Sequence, residues 1–411
     1  FYTPAPLAAV LAEAALGRMS LGTGEAPRIV DPACGEGALL LAACAWLVAR
    51  GDPRDRRAIV LGSMFGVDVD PEAVARTRRA LAGFAGIAEA ELERNIRCGD
   101  AVLGADAPAE LGPPLVWAEA FPEVSAAGGF SAVLANPPYV DAERMARQRP
   151  ALRSYCARRY AAARGNWDLF CVFVELGVEL CAPGGVCGMI VPNKLASAGY
   201  AAAAREVLAR AAKLLCVQDH SAGAGFAADV YPLVFVARRA AGPGEVVVCE
   251  RAEAGRVVER REVDAGRFAG PSPWPLAAED GLVERLRAAG RPLGEVAQVW
   301  GAATVAEAYA IAELVREDAG GLRVVNSGTI DRYEDRWATA PLRYLGRRVA
   351  RPGIAEASLA KLPARRLAQA RTPKVIVSGM TRALEAILDR RGEVLAGKST
   401  TIAWWEGRDL R

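Results

Sequence analysis

Arg28-Ile-Val-Asp-Pro-Ala-Cys-Gly-Glu-Gly37 runs directly into Ala38-Leu-Leu-Leu-Ala-Ala-Cys-Ala-Trp-Leu-Val-Ala-Arg50. Residues 28–31 read as a short strand, 32–37 as a glycine-rich turn and 38–50 as a helix. That order is the layout of a nucleotide-binding α/β unit, whose ligand sits at the carboxyl end of the strand. Gly35 and Gly37 let the backbone approach a ligand closely, and the free N–H groups of the new helix favour a carboxylate. The spacing is G-x-G without a third glycine, which disfavours a dinucleotide. Taken alone, such a turn also serves ordinary packing.

The same alternation extends on both sides. Upstream, Phe1-Tyr-Thr-Pro4 precedes an Ala- and Leu-rich helix over 6–16, with Thr3 as its cap and Pro4 at its first position. Downstream, a strand over 59–67 ends in Gly66-Val-Asp-Val-Asp-Pro71, followed by a helix to about residue 82. A third strand over 95–98 ends at Gly99-Asp100. Asp31, Asp68 and Asp100 therefore stand at three successive strand tips, and Asp68 is placed to accept hydrogen bonds from ribose hydroxyls. Each alone reads equally as a turn or cap residue; the three together suggest a site.

Ser131-Ala-Val-Leu-Ala-Asn-Pro-Pro-Tyr139 is the fourth strand and its end. Two prolines stiffen the corner. Asn136 supplies an amide with donor and acceptor capacity, and Tyr139 a ring suited to stacking. The pair could hold a planar amine in a fixed pose, although Asn and Pro also make plain strand-ending turns. A mobile, Arg-rich helical segment over 141–163 is expected to lie over the site. Asn166-Trp-Asp-Leu-Phe170 opens an amphipathic helix to about 181. A turn at Pro183-Gly-Gly185, a strand ending at Pro192-Asn193, a helix over 198–211 and strands near 214–217 and 229–236 follow. The pattern predicts a doubly wound, mostly parallel sheet over residues 1–240. A hairpin and Pro-rich linker are expected over 241–277, and a smaller mixed α+β domain over 278–411.

Composition narrows the chemistry. The 411 residues are 52% hydrophobic and 24% charged, with no uninterrupted apolar run long enough for a membrane span. Nine scattered cysteines without a C-x-x-C pair, and one histidine (His220), point away from structural zinc, a disulfide framework and histidine-based triads. Such thiols suit a reducing cytoplasm. The start at Phe1, with no Met and no signal sequence, suggests a fragment. Residues 281–411 carry 22 Lys and Arg against 15 Asp and Glu, a net +7, whereas residues 1–280 carry −4. A basic last third fits a polyanion partner, and a solvated Arg-rich face would give the same count.

The order Phe1-Tyr-Thr-Pro4, Asp31-Pro-Ala-Cys-Gly-Glu-Gly37, Gly66-Val-Asp68, Gly99-Asp100, Asn136-Pro-Pro-Tyr139, Asn166-Trp-Asp-Leu-Phe170 and Val191-Pro-Asn193 resembles the TaqI-like adenine-specific DNA methyltransferases. The catalytic domain here would precede the target-recognition domain. The resemblance covers residues 1 to about 238 and is looser beyond 278, where Asn326-Ser-Gly-Thr-Ile-Asp-Arg-Tyr333 and residues 373–401 look like the family's specificity domain.

It implies a Rossmann-like methyltransferase sheet and S-adenosylmethionine as donor, with S-adenosylhomocysteine as product. Tyr2, Thr3, Pro4, Asp31, Ala33, Cys34, Gly35 and Gly37 would surround the methionine part. Asp68 and Val69 would lie by the ribose and Asp100 by the cofactor's adenine. Asn136 and the Pro137 carbonyl would accept from the target's 6-amino group. Pro138 would brace the corner, and Tyr139 would stack on the flipped base with Phe226 opposite. Double-stranded DNA is the implied partner, together with a restriction nuclease domain or subunit, in restriction-modification or phage defence. Arg343, Arg347, Arg348, Arg351, Arg365, Arg366 and Arg371 are the candidate DNA contacts, and Trp404-Trp405 reads as core of the second domain. Methylation of RNA or of a protein glutamine, and a DNA-recognition subunit in which methylation is subordinate, are the competing readings.

Overall fold

The computed structural model describes residues 3–20, 26–112, 114–221, 231–240, 242, 244–253, 256–276, 285–286, 288–303, 305–344, 346–379, 381 and 383–404. It divides into two compact units, residues 1–278 and 279–411. Among the described residues no helix is long and apolar enough to cross a membrane.

Among the described residues the first unit is built on nine strands: β1 (Ile29–Asp31), β2 (Met64–Asp68), β3 (Ile96–Cys98), β4 (Phe130–Ala135), β5 (Cys181–Pro192), β6 (Ala212–Asp219), β7 (Pro232–Arg239), β8 (Val246–Glu253) and β9 (Arg256–Asp264). Their spatial order is β3-β2-β1-β4-β5-β7-β6-β8-β9. The strands β3 to β5 run parallel, and β7 inserts antiparallel between β5 and β6. This is the doubly wound, Rossmann-like methyltransferase sheet expected from the motifs.

Apolar residues cover both faces. One layer is α1 (Ala5–Leu16), α2 (Ala38–Ala49), α3 (Arg56–Ser63) and α4 (Pro71–Ala85), which bury Leu11, Leu40, Ile59 and Leu81 against Ile29, Met64 and Leu134. The other face carries the short α5 (Trp117–Ala120) and α6 (Pro122–Ala126), then α7 (Ala142–Gln148), α8 (Pro150–Arg159), α9 (Leu169–Leu180), α10 (Lys194–Ser197) and α11 (Ala202–Ala211). The helix α9 is apolar almost all round, with Leu169 to Val178 buried throughout, because it lies against Val133 and Met189 with α11 beside it.

Three expectations need correction. Residues 59–63 are the end of α3 rather than the start of a strand: Asp55 accepts from Ala58 N at 2.7 Å as the cap, and Ile59, Val60 and Ser63 share the buried helical face. At the first helix Pro4, not Thr3, is the flanking residue, and no side chain caps it. Residues 246–264 are not separate from the large sheet of the first unit, since β8 pairs in parallel with β6 over Cys216–Asp219 and β9 closes the edge. The Pro-rich stretch after them is packed as well. Trp274 is buried against Phe268, its backbone N–H donates to Ala196 O at 2.8 Å, and buried Arg205 donates to Pro271 O.

Among its described residues the second unit holds two four-stranded sheets and two small ribbons. One sheet orders β10 (Gln298–Gly301), β21 (Thr400–Trp404), β18 (Lys374–Ser378) and β19 (Ala386–Asp389); the other orders β11 (Arg316–Glu317), β17 (Pro352–Ile354), β12 (Leu322–Val325) and β20 (Val394–Ala396). The ribbons pair β13 (Ile330–Asp331) with β14 (Glu334–Asp335) and β15 (Leu342–Tyr344) with β16 (Arg347–Val349). Buried Lys374 and Asp389 pair at 2.5 Å across β18 and β19, and Asp389 also accepts from Gly392, Glu393 and Val394 N.

Candidate active site

A cleft opens at the carboxyl ends of β1, β2, β3 and β4, lined by Ala33, Gly35, Asp68, Val69, Asp100 and Asn136 among others. All six come from the tips of successive strands or the turn after β1, so the topology assembles residues a hundred positions apart. Pro138 also lines it, and Leu152, Leu169 and Phe173 supply an apolar wall.

The turn after β1 is held from below. Gly35 and Gly37 have φ of 52° and 82°, a left-handed region open to glycine at little cost. Asp68 fixes the turn from the neighbouring strand: its Oδ2 accepts from Gly35 N at 2.8 Å and its Oδ1 from Asp70 N at 3.0 Å. Each oxygen keeps a lone pair for a ligand hydroxyl. Asp31 is buried behind the turn, accepts from Ala33 N at 3.0 Å, and has its carboxyl pushed up to about 8, chiefly by burial. Burial, then the neighbouring Asp31, likewise raises the Cys34 thiol, so Cys34 is a packed thiol rather than a nucleophile. Asp31, Cys34 and Gly37 shape the turn without lining the cleft.

At the third tip, Asp100 accepts from Val102 N at 3.2 Å and pairs with Arg149 at 3.4 Å. Arg149 stands between α7 and α8 and lines the cleft, so the Arg-rich segment does lie over the site. It is not loose: Met145, Leu152, Tyr155 and Cys156 are buried, and Tyr155 OH donates to Asp106 Oδ1 at 2.8 Å. Sequence reasoning missed Arg149, one arginine among many in that segment, and no spacing signal distinguishes it.

Asn136 ends β4 with its side chain held at both ends. Its Nδ2 donates to Thr3 Oγ1 at 3.0 Å, and its Oδ1 accepts from Tyr139 OH at 2.7 Å. Ile190 O lies 3.1 Å from the same hydroxyl as a second acceptor. Burial, then Asp168, raises the Tyr139 phenol, so it remains a neutral donor. Its ring stands edge-on to Phe170 at 6.3 Å. Asp168 accepts from Val140 N at 3.0 Å and Phe170 N at 3.2 Å, pinning the loop after Tyr139 to the start of α9. Pro137 is buried in the corner. Thr3 reaches the site through its bond with Asn136, whereas Pro4 flanks the start of α1 and is not part of the cleft lining. Tyr2 and Phe226 lie outside the described residues.

The candidate arginines of the second unit separate clearly. Arg366 is 4% exposed and grips Glu307 with two bonds of 3.0 and 2.7 Å, so it is structural and not a DNA contact. Arg351 pairs with Asp318, Arg371 with Glu356, and Arg347 donates to Ala312 O. Arg365 lies over the Trp300 ring, which stacks on Trp404; Trp404 packs on that unit's core, and Trp405 lies outside the described residues. Arg343 and Arg348 remain exposed.

The sheet order and the cleft together define a protein of the methyltransferase fold. Residues 62–224 match the family described as Eco57I restriction-modification methylase, a span that includes β2 to β6 and the Asn136 corner. Among solved structures, the chain is similar to the type IIL restriction-modification enzyme MmeI in complex with DNA, at 13% identity and a TM-score of 0.52, over 92% of this chain and 56% of that one. It is also similar to the type IIG restriction endonuclease BpuSI, at 14% identity and a TM-score of 0.50, over 99% of this chain and 54% of that one. At such identities the likeness is one of fold, and the chain spans about half the length of these structures. No curated protein matches the chain significantly.

Proposed function

We propose that the first unit transfers a methyl group from S-adenosylmethionine to the 6-amino group of an adenine flipped out of duplex DNA, and that the second unit binds the duplex as part of a restriction-modification system. The observation that carries this is the Asn136 amide, oriented at the mouth of the cleft that Gly35 and Asp68 line. The donor set suits the cofactor: a carboxylate with free lone pairs at the β2 tip, a glycine turn after β1, and an apolar wall at Leu152 and Phe173. When bound, S-adenosylmethionine supplies an electrophilic methyl on sulfur.

The chain's own residues supply position. An adenine amino nitrogen is a poor nucleophile because its lone pair is delocalised into the ring. Asn136 Oδ1 and the Pro137 carbonyl accept its two N–H groups and hold it as it pyramidalises towards the methyl. With the donor bound, the nitrogen would take its methyl, the C–N bond forming as the C–S bond breaks, and the amine would lose one proton to solvent. Positioning alone can contribute about 7–11 kcal/mol. Flipping the base costs a few kcal/mol, offset by stacking on Tyr139 worth about 1–3 kcal/mol.

The test is incubation with labelled cofactor and unmethylated genomic DNA, followed by sequencing for modified bases. Methyl-adenine at a recurring sequence is expected. Label appearing only in RNA or protein, or only on cytosine, would overturn the assignment.

A further inference from the structure

The ribbon β15–β16 sets Arg343 directly opposite Arg348, with Leu342 opposite Val349 and Tyr344 opposite Arg347. Opposed residues of an antiparallel pair project on the same side, with Cβ atoms about 4.5–5.5 Å apart, and like charges there are destabilising. Leu342, Tyr344 and Val349 face inward and are buried in the unit's core, so the ribbon's other side carries the two guanidinium groups into solvent. Among the described residues neither has an ion-pair partner or a ring beneath it, unlike Arg351, Arg365, Arg366 and Arg371. Among the described residues the ribbon pairs with no third strand.

We propose that Arg343 and Arg348 form a phosphate clamp that seats this ribbon on the backbone of duplex DNA. The inference rests on the DNA reading given above and assigns it to one element of the second unit. A phosphate between the two side chains removes the repulsion that the register imposes. Arginine suits this position because its planar fork can bind a phosphate with two parallel hydrogen bonds. A two-stranded ribbon is also narrow enough to follow a groove edge. Such contacts fix position without reading sequence.

The experiment measures binding of the whole chain to two duplexes of unrelated sequence, by fluorescence anisotropy across a salt series. For R343Q/R348Q the slope of log affinity against log salt should fall by about two, with binding weakened roughly tenfold or more at 0.15 M salt on both duplexes. R94Q, whose arginine pairs with Glu123 outside the cleft lining and is not among the candidate DNA contacts, should leave the slope unchanged, and R343K/R348K should recover most of the affinity. Thermal melting of each variant checks that it folds. Unchanged slope and affinity in R343Q/R348Q would overturn the clamp, and so would a loss confined to one duplex. Failure of the unmodified chain to bind either duplex at low salt would instead overturn the underlying DNA reading.

Discussion

Thr3 Oγ1 accepts a hydrogen bond from Asn136 Nδ2 at 3.0 Å, joining residues that lie 133 positions apart. The contact selects one of the two orientations of the amide and turns Oδ1 towards Tyr139 OH. A threonine that local sequence offers as a helix cap is therefore a positioning residue for the proposed catalytic amide. Thr3→Val should lower kcat about fivefold, in line with a lost hydrogen bond worth roughly 1 kcal/mol, with KM for cofactor nearly unchanged. Thr3→Ser should restore the rate. Equal rates for Val and Ser variants would remove the role.

Asn136→Ala deletes the acceptor itself. Methyl transfer is expected to fall at least about a hundredfold, by analogy with removal of a single stabilising polar group, while calorimetry should find cofactor affinity within about twofold of the parent. A variant as active as the parent would mean that the corner after β4 is not the catalytic loop.

Tyr139 makes two separable contributions, a ring and a hydroxyl. Tyr139→Phe keeps the ring and loses the bond to Asn136 Oδ1, so a rate loss within about tenfold is expected. Tyr139→Ala should lose more, with KM for DNA rising, because stacking is worth about 1–3 kcal/mol. Stopped-flow fluorescence of 2-aminopurine at the target position would follow base extrusion directly.

The carboxyl of Asp31 has its proton affinity raised to about 8 by burial. The unfolded chain releases this proton near the ordinary carboxylate value, so the folded form binds more protons between about 4 and 8. Stability from this group is complete below that window and is lost as pH rises through it. The melting temperature of the parent should therefore fall relative to Asp31→Asn as pH is raised from 4 to 8. Parallel curves would show that Asp31 is ionised in the fold.

Lys374 and Asp389 are 1% and 2% exposed at their side chains. Removing one partner leaves a buried charge, and Lys374→Ala should cost about 3–5 kcal/mol by denaturant unfolding of the second unit. A loss under about 1 kcal/mol would put the pair in contact with water.

Much of the frame around the cleft was legible because strand tips advertise themselves. Asp31, Asp68 and Asn136 each end a run of buried residues with a polar group, and alternation of strands with helices does the rest. What local pattern could not give were choices made by distant partners. Ile59 and Val60 are β-branched and read as strand, yet the Asp55 cap and a shared apolar face make them helical. Arg366 looks like any surface arginine until Glu307, 59 positions away, is brought beside it. Trp274 sits in a proline-rich stretch that reads as a tether, and only the site it fills beside Phe268 makes it core.

The parallel pairing of β8 with β6 has a practical consequence for anyone dissecting this chain. A truncation at residue 240, where sequence texture invites a cut, would strip the outer neighbour from β6 and expose a row of unpaired amides and carbonyls. Such a fragment should self-associate through that bare rim, whereas one retaining residues up to 278 keeps it sheathed.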